Sequence, residues 1–508
     1  MRSSSVRERR GAGAGVRNRE DVAGSPGCDP AAVAERPGKP FFLPRRWWPM
    51  SGDLGERAIV LGGSMAGLLA ARVLSESYGQ VVVVDRDEVL GVRESRRGAP
   101  HTVHAHGLHA RGHLIMEELF PGFTGELTDA GIPTGDLGEM RWFFNGRKLR
   151  PAHTGLVSVT GPRPVLEYHV RERVAALPNV VFLQKHDIGG LVADTARGRV
   201  VGVRVRSRAE GAEEELLDAD LVVDATGRGS RTPAWLAEMG YDRPPEEKVK
   251  VGLAYTTRHY RTKPEWFDGV QSINPVASPA HPRGAFFGQV GPDTCILSLT
   301  GLLGDYPPTE DEAFLEFVRS LPVPDVYEAV RDAVPLDDAV SFRFPASVRR
   351  RYERLSRLPD RLLVMGDAVC SFNPVYGQGM SVASLEAMTL REHLRRGVPE
   401  PRAFQAAVAR VVDVPWEISA GGDLDFPGVE GPRTLKVKVG NAYMSRLQYA
   451  ATKDAKVTEG FMRVAGLIDP PTALMKPAML ARVLRHAVRR PAPGPSWQGG
   501  GRPSGTTS

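Results

Sequence analysis

The sequence predicts an α/β fold in three parts. A discontinuous Rossmann-like domain is interrupted by an inserted mixed or antiparallel sheet domain and followed by a C-terminal helical region. Two observations predict it. Three apolar strand-like runs each end in a glycine turn: Arg57-Ala-Ile-Val-Leu-Gly-Gly-Ser-Met-Ala-Gly67, Asp220-Leu-Val-Val-Asp-Ala-Thr-Gly227 and Arg361-Leu-Leu-Val-Met-Gly-Asp367. The stretches between them alternate β-branched and aromatic residues, whereas the chain beyond residue 400 shows helical periodicity.

The first run begins a strand–turn–helix–strand unit closed by Val81-Val-Val-Val-Asp85. Such a unit aims a helix N-terminus, with its free N–H groups, at a pyrophosphate, and its terminal acid at ribose hydroxyls. In the pattern Gly-x-Gly-x-x-Gly, Gly62 and Gly67 hold the outer places, Ser64 the middle one, and Gly63 sits out of phase. Gly62 precedes Asp85 by 23 residues, close to the expected spacing of about 20. A dinucleotide site is therefore expected at Gly62, Gly63, Ser64, Gly67, Asp85 and the adjoining Arg86.

A loop rich in Arg and His follows, then a helix over 108–119. Residues 139–160 alternate like strands, and 164–174 read as a helix. Short strands are expected at 180–184, 200–205 and 220–224, and an antiparallel sheet over 250–300 that includes 284–290 and 294–299. A helix near 310–320 precedes the third glycine element, which runs on into a long Ala-rich helix. The nucleotide domain thus comprises 56–135, 166–235 and 346–398, and the substrate domain 136–165 and 236–345. A helical region covers 399–490, with a disordered leader over 1–55 and a disordered tail over 491–508.

Charge narrows the function classes. Residues 1–50 hold ten Arg or Lys against five Asp or Glu, so only +1 of the total +6 belongs to the remaining 458 residues. A body without a basic face is not expected to bind nucleic acid. Met50, just before the first strand, is a candidate start. No run of 18 apolar residues spans a membrane, and a cytoplasmic location is expected. Cys28, Cys295 and Cys370 are too dispersed for a disulfide framework or metal site. His101, His104, His106 and His109 crowd into nine residues, but no cysteine or paired acid joins them as a zinc site would require. A cofactor-side loop with hydrogen-bonding imidazoles is expected instead.

The third element carries the most specific chemistry. Its strand delivers Gly366 and Asp367 at the carboxyl end, where open α/β sheets bind ligands. Asp367 can accept hydrogen bonds from sugar or ribityl hydroxyls. Pro374 ends the turn, and Gly377-Gln378-Gly379-Met380 opens a helix whose N–H groups favour negative charge.

In these three strings and in Arg97-Gly-Ala-Pro-His-Thr-Val-His-Ala-His106, the chain resembles the FAD-dependent aromatic-hydroxylase superfamily across 57–390. More narrowly it resembles actinobacterial oxygenases that include polyether-polyketide epoxidases, with squalene epoxidases more distant. The resemblance implies that Gly62, Gly63, Ser64, Gly67, Asp85 and Arg86 hold the ADP half of FAD and Gly366 and Asp367 the ribityl chain. It further implies that Pro374, Gly377, Gln378, Gly379 and Met380 border the flavin ring, and that Arg97 and Arg163 contact the flavin. It assigns no catalytic side chain, because a flavin C4a-hydroperoxide delivers the oxygen atom.

The implied activity is monooxygenation of a hydrophobic small molecule with O2, by alkene epoxidation or hydroxylation, in secondary metabolism. A reductase or dehydrogenase and a non-catalytic FAD-binding protein are the alternatives. The family's middle motif places an acid directly before its glycine, whereas here Thr226 precedes Gly227 and Asp224 lies earlier. Electrons from NADH or NADPH can thus arrive directly or through a separate flavin reductase. The expected substrate walls are Trp142, Phe143, Phe286 and Phe287.

Overall fold

The computed structural model describes residues 53–488, except Thr195 and Arg197. The expected leader up to residue 52 and the expected tail lie outside the described residues.

Burial on both faces is what a run such as Ala58-Ile-Val-Leu61 requires, and all four residues are fully buried. This run belongs to β1 (Gly55–Leu61), which is followed by α1 (Met65–Leu74) and β2 (Tyr78–Val84). Five parallel strands form one sheet, in the order Leu362–Val364, Leu221–Asp224, β1, β2 and Val180–Leu183. Each buried Val, Leu or Ile contributes about 1.5–3 kcal/mol, so the sheet is a rigid base for what its edge carries.

Register then fixes the edge. Leu61 lies opposite both Val84 and Asp224, and Asp224 lies opposite Val364. The three glycine turns therefore leave the sheet side by side. Chain order reverses at β1, which has β2 on one flank and Leu221–Asp224 on the other. A crevice opens at such a switch point.

A second sheet of seven strands is antiparallel except where Ser272–Val276 pairs in parallel with Arg141–Phe144. Phe143, Ile273, Phe287 and Leu297 pack in one core cluster with Phe314 and Phe317 of the helix Asp311–Arg319. Trp142 and Phe144 point to the other face and pack with the C-terminal residues Leu447 and Met462.

The expected substrate strands over 139–160 divide between two sheets. Val157–Thr160 pairs with Gly107–Leu108 and Thr134–Asp136 rather than with the seven-stranded sheet. Asp136 is the physical reason: its carboxylate accepts the N–H groups of Thr154 and Gly155 at 2.7 Å each and turns the chain back.

Beyond residue 400 the chain forms helices Pro401–Asp423, Leu435–Ala451, Ala455–Ala465 and Pro477–His486. Each of the first three has a side-chain cap, from Glu400, Thr434 and Asp454. The last docks through Val483 onto a core that includes Leu447 and Val457. Among the described residues no helix is long and apolar enough to cross a membrane.

Candidate cofactor site and adjoining cavity

The first glycine turn is sterically locked. Gly62 has φ +98°, and a Cβ there would lie 2.7 Å from the Ala225 carbonyl oxygen. A Cβ on Gly67 would lie 1.8 Å from the Gly62 carbonyl oxygen, so only glycine lets α1 pack this close to the turn. Gly63 donates its N–H to Asp85 Oδ2 at 2.7 Å. Ser64 is the N-cap residue of α1, yet no side chain caps the helix and its first turn holds no acid. The N-terminal dipole end is thereby left for an external anion.

The Ser64 hydroxyl instead donates to Glu167 Oε2 at 2.7 Å. Glu167 is buried and accepts bonds from Arg96 at 2.5 Å, Arg171 at 3.2 Å and Arg163 at 3.3 Å. Burial raises its pKa, but Arg163 and Arg96, the Ser64 bond and Arg171 outweigh this and hold the carboxyl at about 2. Three guanidinium groups thus converge on one carboxylate beside α1. Arg163 also reaches the Ser64 hydroxyl at 3.4 Å.

Sequence reasoning named Arg97 and missed Arg96 and Glu167. Arg96 turns inward, 3.6 Å from Asp85 and 3.5 Å from Asp87, while Arg97 is exposed. Arg97 and the exposed Arg86 line a shallow depression of about 390 Å³ with Lys185 and Arg208. Nothing in the Arg96-Arg97 pair alone tells which guanidinium faces the turn.

At the second element Asp224 is fully buried. It accepts Thr226 N–H at 2.9 Å, Thr226 Oγ1 at 2.6 Å, and the Ser230 and Thr232 hydroxyls at 2.5 Å each. Its carboxylate is spent on folding the turn. A Cβ on Gly227 would lie 3.9 Å from Asp367 Cβ, so the second and third turns meet.

At the third element Gly366 has φ +68°, and a Cβ there would meet Ala66 Cβ at 2.7 Å. Its N–H donates to Glu386, a buried acid whose Oε1 lacks a partner. Burial, aided by the Asp367 charge, pushes Glu386 up to about 8 against the Gly366 bond. Asp367 is half-buried, and its carboxyl accepts no hydrogen bond from the described residues. Burial raises its pKa, while Arg163, Arg228 and Arg350 oppose the shift.

In the 374–380 loop, Pro374 is exposed, Gly377 has φ +66°, and Met380 is buried. Gln378 is buried with Oε1 unpartnered, and Gly379 faces open space. The helix Gly379–Leu394 has no side-chain cap and no acid in its first turn.

The histidines do not converge. His104 Nδ1 meets the Thr257 hydroxyl at 2.7 Å, and His106 Nδ1 donates to the His104 carbonyl at 2.9 Å. His109 Nε2 donates to the Tyr376 carbonyl at 2.8 Å. Burial holds all four imidazoles below their usual pKa, with His101 and His104 down to about 4. The rings of His104, His106 and His109 act as neutral hydrogen-bonding struts. Among the described residues, the groups able to hold a metal jointly are Asp136, Glu139 and His153, outside this loop. Cys370 is buried, and burial raises its thiol pKa well above the usual value, as befits a packing residue.

A cavity of about 990 Å³ adjoins the third element and is lined by Asn373, Tyr376 and Gln378 together with Trp142, Phe144 and residues of the C-terminal helices. Of the expected walls, Trp142 lines it. Phe143 and Phe287 do not, because strand alternation turns them into the core on the opposite face, and Phe286 is not among the lining residues. Phe144 and the contribution of the C-terminal helices were not legible.

Two uncapped helix N-termini, an unengaged carboxyl at a strand end and an orphaned Gln378 oxygen fit FAD's diphosphate, ribityl hydroxyls and ring edge. Gly62, Gly63, Ser64, Gly67 and Asp85 would hold the ADP half, with Arg86 and Arg97 at its outer rim.

Protein Rv3254 of Mycobacterium tuberculosis (strain ATCC 25618 / H37Rv) is 33% identical to the chain over 469 residues, which cover 87% of this chain and 96% of that protein. A flavoprotein/dehydrogenase from Cytophaga hutchinsonii shares the fold with a TM-score of 0.62 at 13% identity, over 85% of this chain and 100% of that one. The p-nitrophenol 4-monooxygenase PnpA from Pseudomonas putida DLL-E4 gives 0.56 at 17% identity, over 82% and 99%. Residues 56–398 match the family model described as FAD binding domain, and the chain belongs to that family.

Proposed function

We propose that the protein is an FAD-dependent monooxygenase that places one oxygen atom from O2 into a hydrophobic small molecule, as an epoxide or a hydroxyl group. The observation that carries this reading is the 990 Å³ cavity bordered by the 374–380 loop. FAD, when bound, supplies the redox chemistry and the activation of O2. The chain's own task is to bind, orient and exclude water. Gly62, Ser64, Gly67 and Asp85 hold the cofactor's ADP and diphosphate, Gly366 and Asp367 its ribityl chain, and Arg163 with Gly377 to Met380 its ring. Trp142, Phe144, Trp416 and Met444 give the cavity apolar walls that hold a substrate against that ring.

The resemblance to actinobacterial epoxidases favours a role in secondary metabolism. Asp224 has all its hydrogen-bonding capacity engaged within its own turn. That favours delivery of electrons by a separate flavin reductase over direct reaction with NADH or NADPH. The test supplies the purified FAD-loaded protein with either nucleotide, with and without a flavin reductase, and with polyene and phenol panels. Ligand-stimulated O2 uptake giving a product one oxygen heavier is expected. Turnover of ligand without O2 consumption would identify a dehydrogenase instead.

A further inference from the structure

The helix Pro401–Asp423 brings to the cavity a carboxyl that lies outside the family match over 56–398. Asp423 is 1% exposed, yet it lines the cavity. Its Oδ1 accepts Asn373 Nδ2 at 2.8 Å and the Tyr376 hydroxyl at 3.3 Å, and its Oδ2 has no partner. Of the other charged lining residues, Lys248, Glu417 and Lys436 are exposed, while Arg147, Glu247 and Asp425 are half-buried. Tyr376 is only half-buried, and it donates its one hydroxyl proton to Asp423. The phenol oxygen thus keeps its lone pairs for a donor inside the cavity. Gly422 makes room for this contact, since a Cβ there would lie 2.4 Å from the Tyr376 hydroxyl oxygen. His109 fixes the same residue from the main-chain side.

We infer that Tyr376, backed by Asp423, forms a hydroxyl-recognition point at the end of the cavity nearest the 374–380 loop. The ligand class this fits is an otherwise apolar molecule carrying one hydroxyl group, either phenolic or alcoholic. Its hydroxyl donates to Tyr376, whose own proton points to Asp423. Burial pushes the Asp423 carboxyl up to about 7, against the bonds from Asn373 and Tyr376. An apolar body fills the remaining volume between Trp142, Phe144 and Met444.

This inference rests on the FAD-enzyme reading, and the test separates the two by recording flavin content alongside ligand affinity. FAD-loaded protein is titrated with 2-naphthol, 2-methoxynaphthalene and naphthalene, with binding followed by flavin absorbance and tryptophan fluorescence. The wild type is expected to hold 2-naphthol about tenfold tighter than 2-methoxynaphthalene, equivalent to about 1.4 kcal/mol. Tyr376→Phe should abolish that preference and Asp423→Asn should reduce it, with flavin content unchanged in both. Equal affinities in the wild type, a preference that survives Tyr376→Phe, or no binding of any probe would each overturn the inference. Wild-type protein that never retains FAD would overturn the enzyme reading itself, and the inference with it.

Discussion

His109 donates from Nε2 to the main-chain carbonyl of Tyr376 at 2.8 Å, across 267 residues of chain. This bond ties the histidine loop to the turn that precedes the helix Gly379–Leu394. The ring also lies against Gly377, where a Cβ would come within 2.9 Å of His109 Nε2. His109→Ala should therefore loosen the 374–380 loop and leave a part-buried carbonyl without its donor, at a cost of about 1 kcal/mol. Denaturant unfolding and the quantum yield of bound flavin check this together. His109→Gln, which can donate to the same carbonyl, should recover part of the loss.

Gly67→Ala should be far more damaging than its single added methyl suggests. The new Cβ would lie 1.8 Å from the Gly62 carbonyl, so α1 must move away from the turn. Overpacking of this kind costs about 1–3 kcal/mol, and displacement of the helix N-terminus should remove most of the FAD retained on purification. Wild-type flavin content in this variant would contradict the placement of the cofactor.

Arg96 and Arg97 should behave differently despite being neighbours. Arg96 pairs with Glu167, Asp85 and Asp87, whereas Arg97 is exposed. Arg96→Ala leaves carboxylates short of a partner and should weaken FAD binding at least about tenfold, about 1.4 kcal/mol. Arg97→Ala should cost much less. Equilibrium dialysis of FAD against the two variants distinguishes them.

Two buried acids predict opposite pH dependences. The Glu167 carboxyl, held at about 2, is ionised in the folded state where the unfolded chain is already taking up a proton. Its stabilisation is complete above the ordinary carboxyl range near 4.5 and is lost as pH falls towards 2. Glu386, raised to about 8, stays protonated in the fold where the unfolded chain has released its proton. It therefore lowers stability as pH rises from about 4.5 to about 8. Glu386→Gln can still accept the Gly366 N–H and should flatten that fall, leaving the variant more stable than wild type at alkaline pH. Thermal melts at pH values across this window test it, and parallel curves for the two proteins would refute the assignment.

Filling the cavity should separate ligand binding from cofactor binding. Met444 lines the cavity from the helix Leu435–Ala451 and belongs to none of the three glycine turns. Met444→Trp should weaken naphthol binding at least about tenfold while leaving flavin content as in the wild type.

How much of this was legible in the sequence follows from what each residue answers to. The three glycine turns were readable because continuous apolar runs such as Val81 to Val84 can only be buried strands, and the turns must follow at their ends. The alternation of Trp142, Phe143 and Phe144 was readable too, but which face meets the cavity depends on helices that arrive some 270 residues later or more. Arg96, Glu167, Glu386 and Asp423 were not singled out, because their roles arise from long-range packing that places one charge opposite another. The strand Val157–Thr160 shows the same limit, since its pattern gives a strand and not the sheet it joins.

The central claim is oxygen transfer to a ligand in the cavity beside the 374–380 loop. Its most direct test is a single turnover: the flavin is reduced by light without air, a hydroxylated apolar ligand is bound, and isotopically heavy O2 is admitted. Product carrying one heavy oxygen atom, with its yield lost in Met444→Trp, is the predicted result. Recovery of the consumed O2 entirely as hydrogen peroxide, with ligand unchanged across the polyene and phenol panels, would contradict it.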